Sequence, residues 1–348
     1  MTREDNEIMS ELNSLRIRQL FYTSWLAQSV YAAACLGLAD LVATGTSSVE
    51  ELAARTHTRP DYLYRLMRAL AGAGVFTETS AGTFGMTPQA HCLVSGGEDS
   101  VKELVLFYGN EVHKSYGHLA ETLRTGIPAV DAIYGMSLWE RMESVPETGT
   151  AFRRGMGAPS WREQLPLPEN YDFSGIRRLV DVGGGEGTML AAVLHEHPGM
   201  QGVLVDISAG VDRTMHHFIE AGVADRTRLV ESSAFDELPR ADGYMMSCVL
   251  HVMDDAASLV ALNRVRDAIE ADGRLVILER IVSPPDEPSL AKILDLSMML
   301  TNGGRERTET EWHDLLAQAG FKLTRIVALP YFSGGAELTA IEAAPVPR

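Results

Sequence analysis

The run Arg178-Leu179-Val180-Asp181-Val182, followed at once by Gly183-Gly184-Gly185-Glu186-Gly187, constrains the fold more than any other stretch of the chain. Branched apolar residues in a short run predict a strand buried on both faces, and the glycines force a tight turn after it. Thr188–His195 then reads as a helix halted by Pro198. Strand, glycine turn and helix in that order predict a doubly wound α/β sheet of mostly parallel strands. Such a turn also lets a ligand approach the backbone closely, with amide donors pointing at it. The next strand, Gly202–Val205, ends in Asp206, 23 residues after Gly183. A carboxylate there can accept hydrogen bonds from both hydroxyls of a ribose. A tight turn without a ligand explains the glycines alone. Glycines together with Asp206 predict adenosine binding.

The dinucleotide fingerprint reads GxGxxG/A, and here Thr188 stands at the sixth position. The pattern is instead GxGxG behind an acidic Asp181. Further strands are expected at Arg228–Glu231, Tyr244–Leu250 and Arg274–Glu279. A capping box, Thr308-Glu309-Thr310-Glu311, opens a late helix. Lys322–Leu329 and Leu338–Ala343 then read as an antiparallel hairpin at the sheet edge. A doubly wound sheet closed by such a hairpin looks like the methyltransferase variant of the fold, with S-adenosylmethionine as cofactor. A nicotinamide dehydrogenase is the distant second reading. Ligands in these sheets bind at the carboxyl ends of the strands, where Ser232–Phe235, Ser247, Cys248 and His251 fall.

Ahead of this domain the chain is helical. From Leu12 to Ala43, apolar residues including Leu20, Trp25, Leu26 and Val30 cover more than one face. A helix apolar all round must be buried, so this one predicts a homodimer. Ser48-Val49-Glu50-Glu51 opens a short helix, Arg59-Pro60 a second, and two extended pieces follow at Val75–Thr77 and Thr83–Met86. That is a winged-helix pattern. A net charge of −17 repels phosphate backbones and anionic lipid, so packing and dimerisation outweigh DNA binding as its use. Residues 100–175 read as a helical middle with Phe107, Tyr108, His113, Tyr134, Trp139 and Trp161. Each ring alone is more often core than ligand contact. As a group they could form a lid over a flat substrate. Three domains are therefore expected: 1–99, 100–175 and 176–348. The N-terminus lacks a secretory pattern, and Cys35, Cys92 and Cys248 form no CxxC, which predicts a cytoplasmic protein with free thiols and no metal site. His195, His197, His216 and His217 lie on helices without a matched acidic set and read as surface residues.

The motifs DVGGGEG, VLVD, SCVLHVMDD, VILERIVSPPDEP, LDLSMMLTNGGRERTETEW and LLAQAGF occur in this order. Together they resemble the small-molecule O-methyltransferases of the plant caffeic acid and flavonoid type, over nearly the whole chain. VLFYGNEVH and the stretch around Met156 resemble the bacterial phenazine and anthracycline branch. The resemblance implies a winged-helix dimerisation domain ahead of a Rossmann-like catalytic domain, and a small aromatic or polycyclic acceptor. It implies His251 as general base, flanked by Glu279 and Glu306. Asp181, Gly183, Gly185, Asp206, Ser233, Ala234, Phe235 and Ser247 would hold S-adenosylmethionine, and Phe107, His113, Met156, Met298 and Asn302 would line the acceptor pocket. Two departures stand out: Val252-Met253 follows the histidine where the family writes Asp-Trp, and Ser232-Ser233 stands where it writes Gly-Asp. N-methylation, a cofactor-bound decarboxylase, hydroxylase or cyclase, and a metabolite-sensing transcription regulator are the alternatives.

Overall fold

The structure, a computed structural model, describes residues 3–97, 99–157, 167–207, 211–329 and 338–347. Trp161, expected in the helical middle, lies outside the described residues. The chain divides into two compact units: Met1–Lys114 with Thr150–Ser160, and Ser115–Gly149 with Trp161–Arg348.

In the first unit the expected long helix is two. One spans Arg3–Cys35, the chain turns left-handed at Gly37 with φ of 64°, and a second runs Leu38–Ala43. Ser48 caps the helix Val49–Thr56 by accepting from the Glu51 amide at 3.3 Å. The helix Pro60–Gly72 follows, then strands β1 (Phe76–Ser80) and β2 (Thr83–Met86), paired antiparallel with Phe76 opposite Met86. Leu38, Leu52, Leu63, Met67, Leu70, Phe76 and Phe84 close a core between these helices and the two-stranded wing. Arg65 and Arg68 lie over the rings of Tyr62 and Tyr64, at 5.8 and 5.5 Å. Ala33, Leu26 and Val30 of the first helix pack on this core, but another apolar face stays open among the described residues: Leu20 is 68% exposed, Phe21 61% and Trp25 63%. The helix Lys102–Phe107 continues through a single π-helical turn, Tyr108–Val112.

The second unit is built on a seven-stranded sheet: β3 (Arg178–Val182), β4 (Gln201–Asp206), β5 (Thr227–Glu231), β6 (Ala241–Ser247), β7 (Ile269–Glu279), β8 (Phe321–Leu329) and β9 (Leu338–Pro345). The spatial order is β5-β4-β3-β6-β7-β9-β8, and β9 alone runs against its neighbours. Burial on both faces follows from strict alternation. Val180, Val182, Tyr244 and Met246 pack on one side with Ile277 and Trp312. Leu179, Met245, Val276 and Leu278 pack on the other with Leu190 and Phe218. The sheet order reverses between β3 and β6, which puts a crevice at their carboxyl ends.

The fourth parallel strand is shorter than expected. β6 stops at Ser247 because Cys248 takes a left-handed conformation, φ 53°, and Leu250–Val252 form a 3₁₀ turn instead of strand. Among the described residues, no helix is long and apolar enough to cross a membrane.

Candidate active site

The 3₁₀ turn after β6 carries His251, the end of β7 carries Glu279, and the segment between the helices Leu290–Thr301 and Glu309–Gln318 carries Glu306. These three side chains meet. His251 Nδ1 stands 2.9 Å from Glu306 Oε1 and 3.8 Å from Glu279 Oε2. With Nδ1–H donating to Glu306, the proton-accepting nitrogen is Nε2. Glu279 Oε1 accepts from the backbone amides of Leu250 and His251, at 3.0 and 3.2 Å, and so ties the turn to the sheet. Glu306 is itself held by its amide, which donates to Asp295 Oδ1 at 2.8 Å. Both carboxylates are closed off from solvent, while the imidazole keeps 12% of its surface.

Burial alone would lower the imidazole pKa. The charge of Glu279 and the hydrogen bond donated to Glu306 outweigh it and hold His251 above the ordinary 6.5. Glu279 is raised above the ordinary carboxylate range, first by burial and then by Glu306, with His251 acting against both. Cys248, His251 and Glu279 bring one donor atom each within 4.8 Å of one another. His251 Nδ1 and Glu279 Oε1 already have protein partners.

At the carboxyl ends of β3 and β4 lies the glycine loop. Gly184 is packed so tightly that a Cβ would stand 2.2 Å from Asp181 Oδ2 and 2.4 Å from Leu204, which leaves only glycine there. The buried Asp181 therefore sits directly beneath the loop. Gly183 and Gly185 are left-handed, with φ of 72° and 60°. Asp206, at the end of β4, accepts from the Gly185 amide at 2.9 Å and so joins the loop to the second strand. This cradle fits an adenosine-bearing cofactor: a backbone surface bare of side chains at Gly183–Gly185, a carboxylate beside it, and apolar surface alongside. Ile207 is 54% exposed and Phe235 42% exposed at the ends of neighbouring strands, where an adenine ring could lie against them. Ile207 was missed in the sequence, although an apolar residue directly after the strand-end aspartate was the available signal. Ser233 accepts from the Phe235 amide at 2.9 Å, and Asp236 accepts from the Ser233 amide at 2.9 Å and from the Ser232 hydroxyl at 3.3 Å. Asp236 thus brings a carboxylate onto Ser232 and Ser233, in a turn that also holds Ala234 half-buried. Ser247 is buried as the last residue of β6.

The expected acceptor-pocket residues fall in both units. Met298 is half-buried on the helix Leu290–Thr301, and Asn302 caps that helix. The Asn302 amide nitrogen donates to Thr301 Oγ1 at 2.9 Å, and its Oδ1 is buried with no hydrogen-bond partner among the described residues. In the first unit, Phe107 is buried edge-on to Phe152 at 5.2 Å, Met156 is half-buried and His113 is exposed.

The model of the O-methyltransferase domain matches residues 116–322, and that of the O-methyltransferase dimerisation domain matches residues 18–96. Phenazine O-methyltransferase PhzM of Lysobacter antibioticus is 36% identical over 348 residues, 99% of this chain and 100% of its own. Phenazine-1-carboxylate N-methyltransferase of Pseudomonas aeruginosa is 35% identical over 315 residues, 90% of this chain and 93% of that one. A solved relative is NcsB1, an O-methyltransferase from neocarzinostatin biosynthesis in complex with S-adenosylmethionine and 2-hydroxy-5-methyl naphthoic acid. It matches with a TM-score of 0.78 at 28% identity, over 92% of this chain and 96% of its own.

Proposed function

Because the chain belongs to the O-methyltransferase family, whose members draw their methyl group from S-adenosylmethionine, we propose that it methylates a hydroxyl of a small aromatic or polycyclic natural product, with His251 as general base. The observation that carries this reading is the imidazole held at Nδ1 by Glu306, with Nε2 left to take a proton. When bound, S-adenosylmethionine supplies a methyl group already activated as a sulfonium. The chain's own work is to hold the acceptor and move one proton. A phenolic hydroxyl has a pKa of about 10, and an imidazole near it can take the proton as the oxygen becomes nucleophilic. Glu306 and Glu279 then stabilise the imidazolium, as the carboxylate does in a serine-protease triad. Asn302 Oδ1 is an unmet buried acceptor, and a hydroxyl or amine on the acceptor molecule would satisfy it.

Asp206 and the loop Gly183–Gly187 would hold the cofactor, with Ile207 and Phe235 against its base. Asp206→Ala should weaken S-adenosylhomocysteine binding by about 1.5–3 kcal/mol in calorimetry, the scale of a charged hydrogen bond. Unchanged affinity, or tight binding of NAD by the wild type, would remove Asp206 from the ribose.

The exposed apolar residues Leu20, Phe21 and Trp25 support a second copy of the chain as partner, since the dimerisation match begins at residue 18. Trp25→Glu combined with Leu20→Glu should convert a dimer into a monomer at micromolar concentration in light scattering. A monomeric wild type, or a variant that still dimerises, counts against that surface.

The Pseudomonas relative is an N-methyltransferase, and its likeness favours nitrogen as the second reading for the acceptor atom. A nitrogen whose lone pair is free needs no base, so the His251 variants discussed below separate the two.

A further inference from the structure

We propose that Arg307 is a positioning residue for the base: its guanidinium grips the turn that carries His251 and keeps the imidazole in register with Glu306. This rests on the reading of His251 as general base.

Arg307 is 0% exposed. A buried guanidinium is strongly destabilising unless its donors are all engaged. Here they are. Nε and one terminal nitrogen donate to Asp255 Oδ1 at 3.0 and 2.8 Å, and that same nitrogen reaches Ser258 Oγ at 3.0 Å. A further contact goes to the Arg305 carbonyl at 3.4 Å, and two go to the turn that carries His251. One terminal nitrogen donates to the Leu250 carbonyl at 3.0 Å and the other to the Met253 carbonyl at 3.2 Å. These two carbonyls bracket His251, so the fork spans the turn from one side to the other. Ser258, buried as well, donates to the same Leu250 carbonyl at 3.4 Å and closes the network. The guanidinium also lies over the ring of the buried Trp312, 5.2 Å from its centroid.

The same short segment presses on the turn a second time. A Cβ on Gly304 would stand 2.2 Å from the His251 carbonyl oxygen and 2.5 Å from the Val252 carbonyl carbon. Residues 304–307 therefore supply a backbone that meets the turn directly, the carboxylate that holds the imidazole, and the fork that holds the turn. An arginine that only anchored the helix Asp255–Ala268 would need Asp255 and Ser258, which that helix carries. It would have no use for the carbonyls on either side of the base. Lysine is a poor replacement, because three donors on one nitrogen cannot reproduce a planar fork of five donors on three nitrogens.

The test is a double-mutant cycle of Arg307→Lys and His251→Ala, read as single-turnover methyl transfer per cofactor-binding site. Arg307→Lys should lower the rate roughly 10–100-fold, the scale of a small misplacement of a catalytic group. The acceptor KM and the affinity for S-adenosylhomocysteine should stay within a few-fold of wild type. In the His251→Ala background the same substitution should cost little, because the group it positions is gone. An equal loss in both backgrounds, or no loss in either, overturns the proposal. His251→Ala alone at near the wild-type rate overturns the base reading instead, and that arm is measured separately. Should Arg307→Lys yield no cofactor-binding protein, Ser258→Ala goes through the same cycle. A few-fold loss that disappears in the His251→Ala background supports positioning, and a loss that persists there, or none, refutes it.

Discussion

His251→Ala should lower single-turnover methyl transfer by about 10²–10⁴-fold, the usual worth of a positioned general base. Cofactor affinity should stay close to wild type, because Glu306 and Glu279 tie His251 to the β6 and β7 side of the crevice while Asp206 and the glycine loop lie at β3 and β4. The alanine leaves two buried carboxylates without the imidazole between them, and Glu279 is already pushed up by burial and by Glu306. His251→Gln is the companion variant, since its side-chain amide can still donate to Glu306 but cannot accept a proton at pH 7. Both variants should lose the rate alike if proton transfer is the lesion. If both stay within a few-fold of wild type, the base role is gone and a nitrogen acceptor becomes the reading. A slow alanine with a fast glutamine would make His251 a spacer that keeps Glu306 in place.

The catalytic unit was legible in the sequence where a residue type has a single physical use. A glycine run between a buried strand and a helix has one common outcome, and the loop lies where the pattern put it, with Asp206 bound to its Gly185 amide. The capping box at Thr308 is complete, and the hairpin of β8 and β9 closes the sheet as expected. What escaped depends on backbone geometry that composition does not encode. Val249 and Leu250 extend an apolar run and read as strand, yet a left-handed Cys248 ends β6 three residues early and turns His251 toward the carboxylates. The long N-terminal helix breaks at Gly37 for the same kind of reason. Asp236 was not legible, because its role arises from a turn that folds it back onto Ser232 and Ser233. Arg307 stands inside the motif LDLSMMLTNGGRERTETEW, but a buried arginine is unusual enough that charge normally argues for the surface. The apolar excess of the first helix did carry information, since Leu20, Phe21 and Trp25 stay exposed among the described residues.

Glu306→Gln should cost about 10²-fold in kcat and move the pH profile in a direction that follows from the charges. A base must be neutral to accept a proton, so kcat/KM should rise with pH through the His251 pKa of the free enzyme. Glu279 and Glu306 hold that pKa above 6.5, which places the wild-type limb on the alkaline side of an ordinary imidazole. The substituted amide keeps an oxygen for Nδ1–H but removes the charge, so the imidazolium loses stabilisation and the limb should shift to lower pH. That amide can also turn its N–H₂ toward the ring and trap the tautomer with its proton on Nε2, the form that cannot act as base here. The same loss of charge in a serine-protease triad, aspartate to asparagine, is costly for that reason. Glu279→Gln should shift the limb the same way, with a smaller loss in kcat. Its Oε1 holds the Leu250 and His251 amides, and an amide oxygen can still accept both. The measurement is kcat/KM for methyl transfer across pH for the wild type and both variants. A limb that moves to higher pH in Glu306→Gln, or stays in place in both, would mean that these carboxylates do not set the proton affinity of His251.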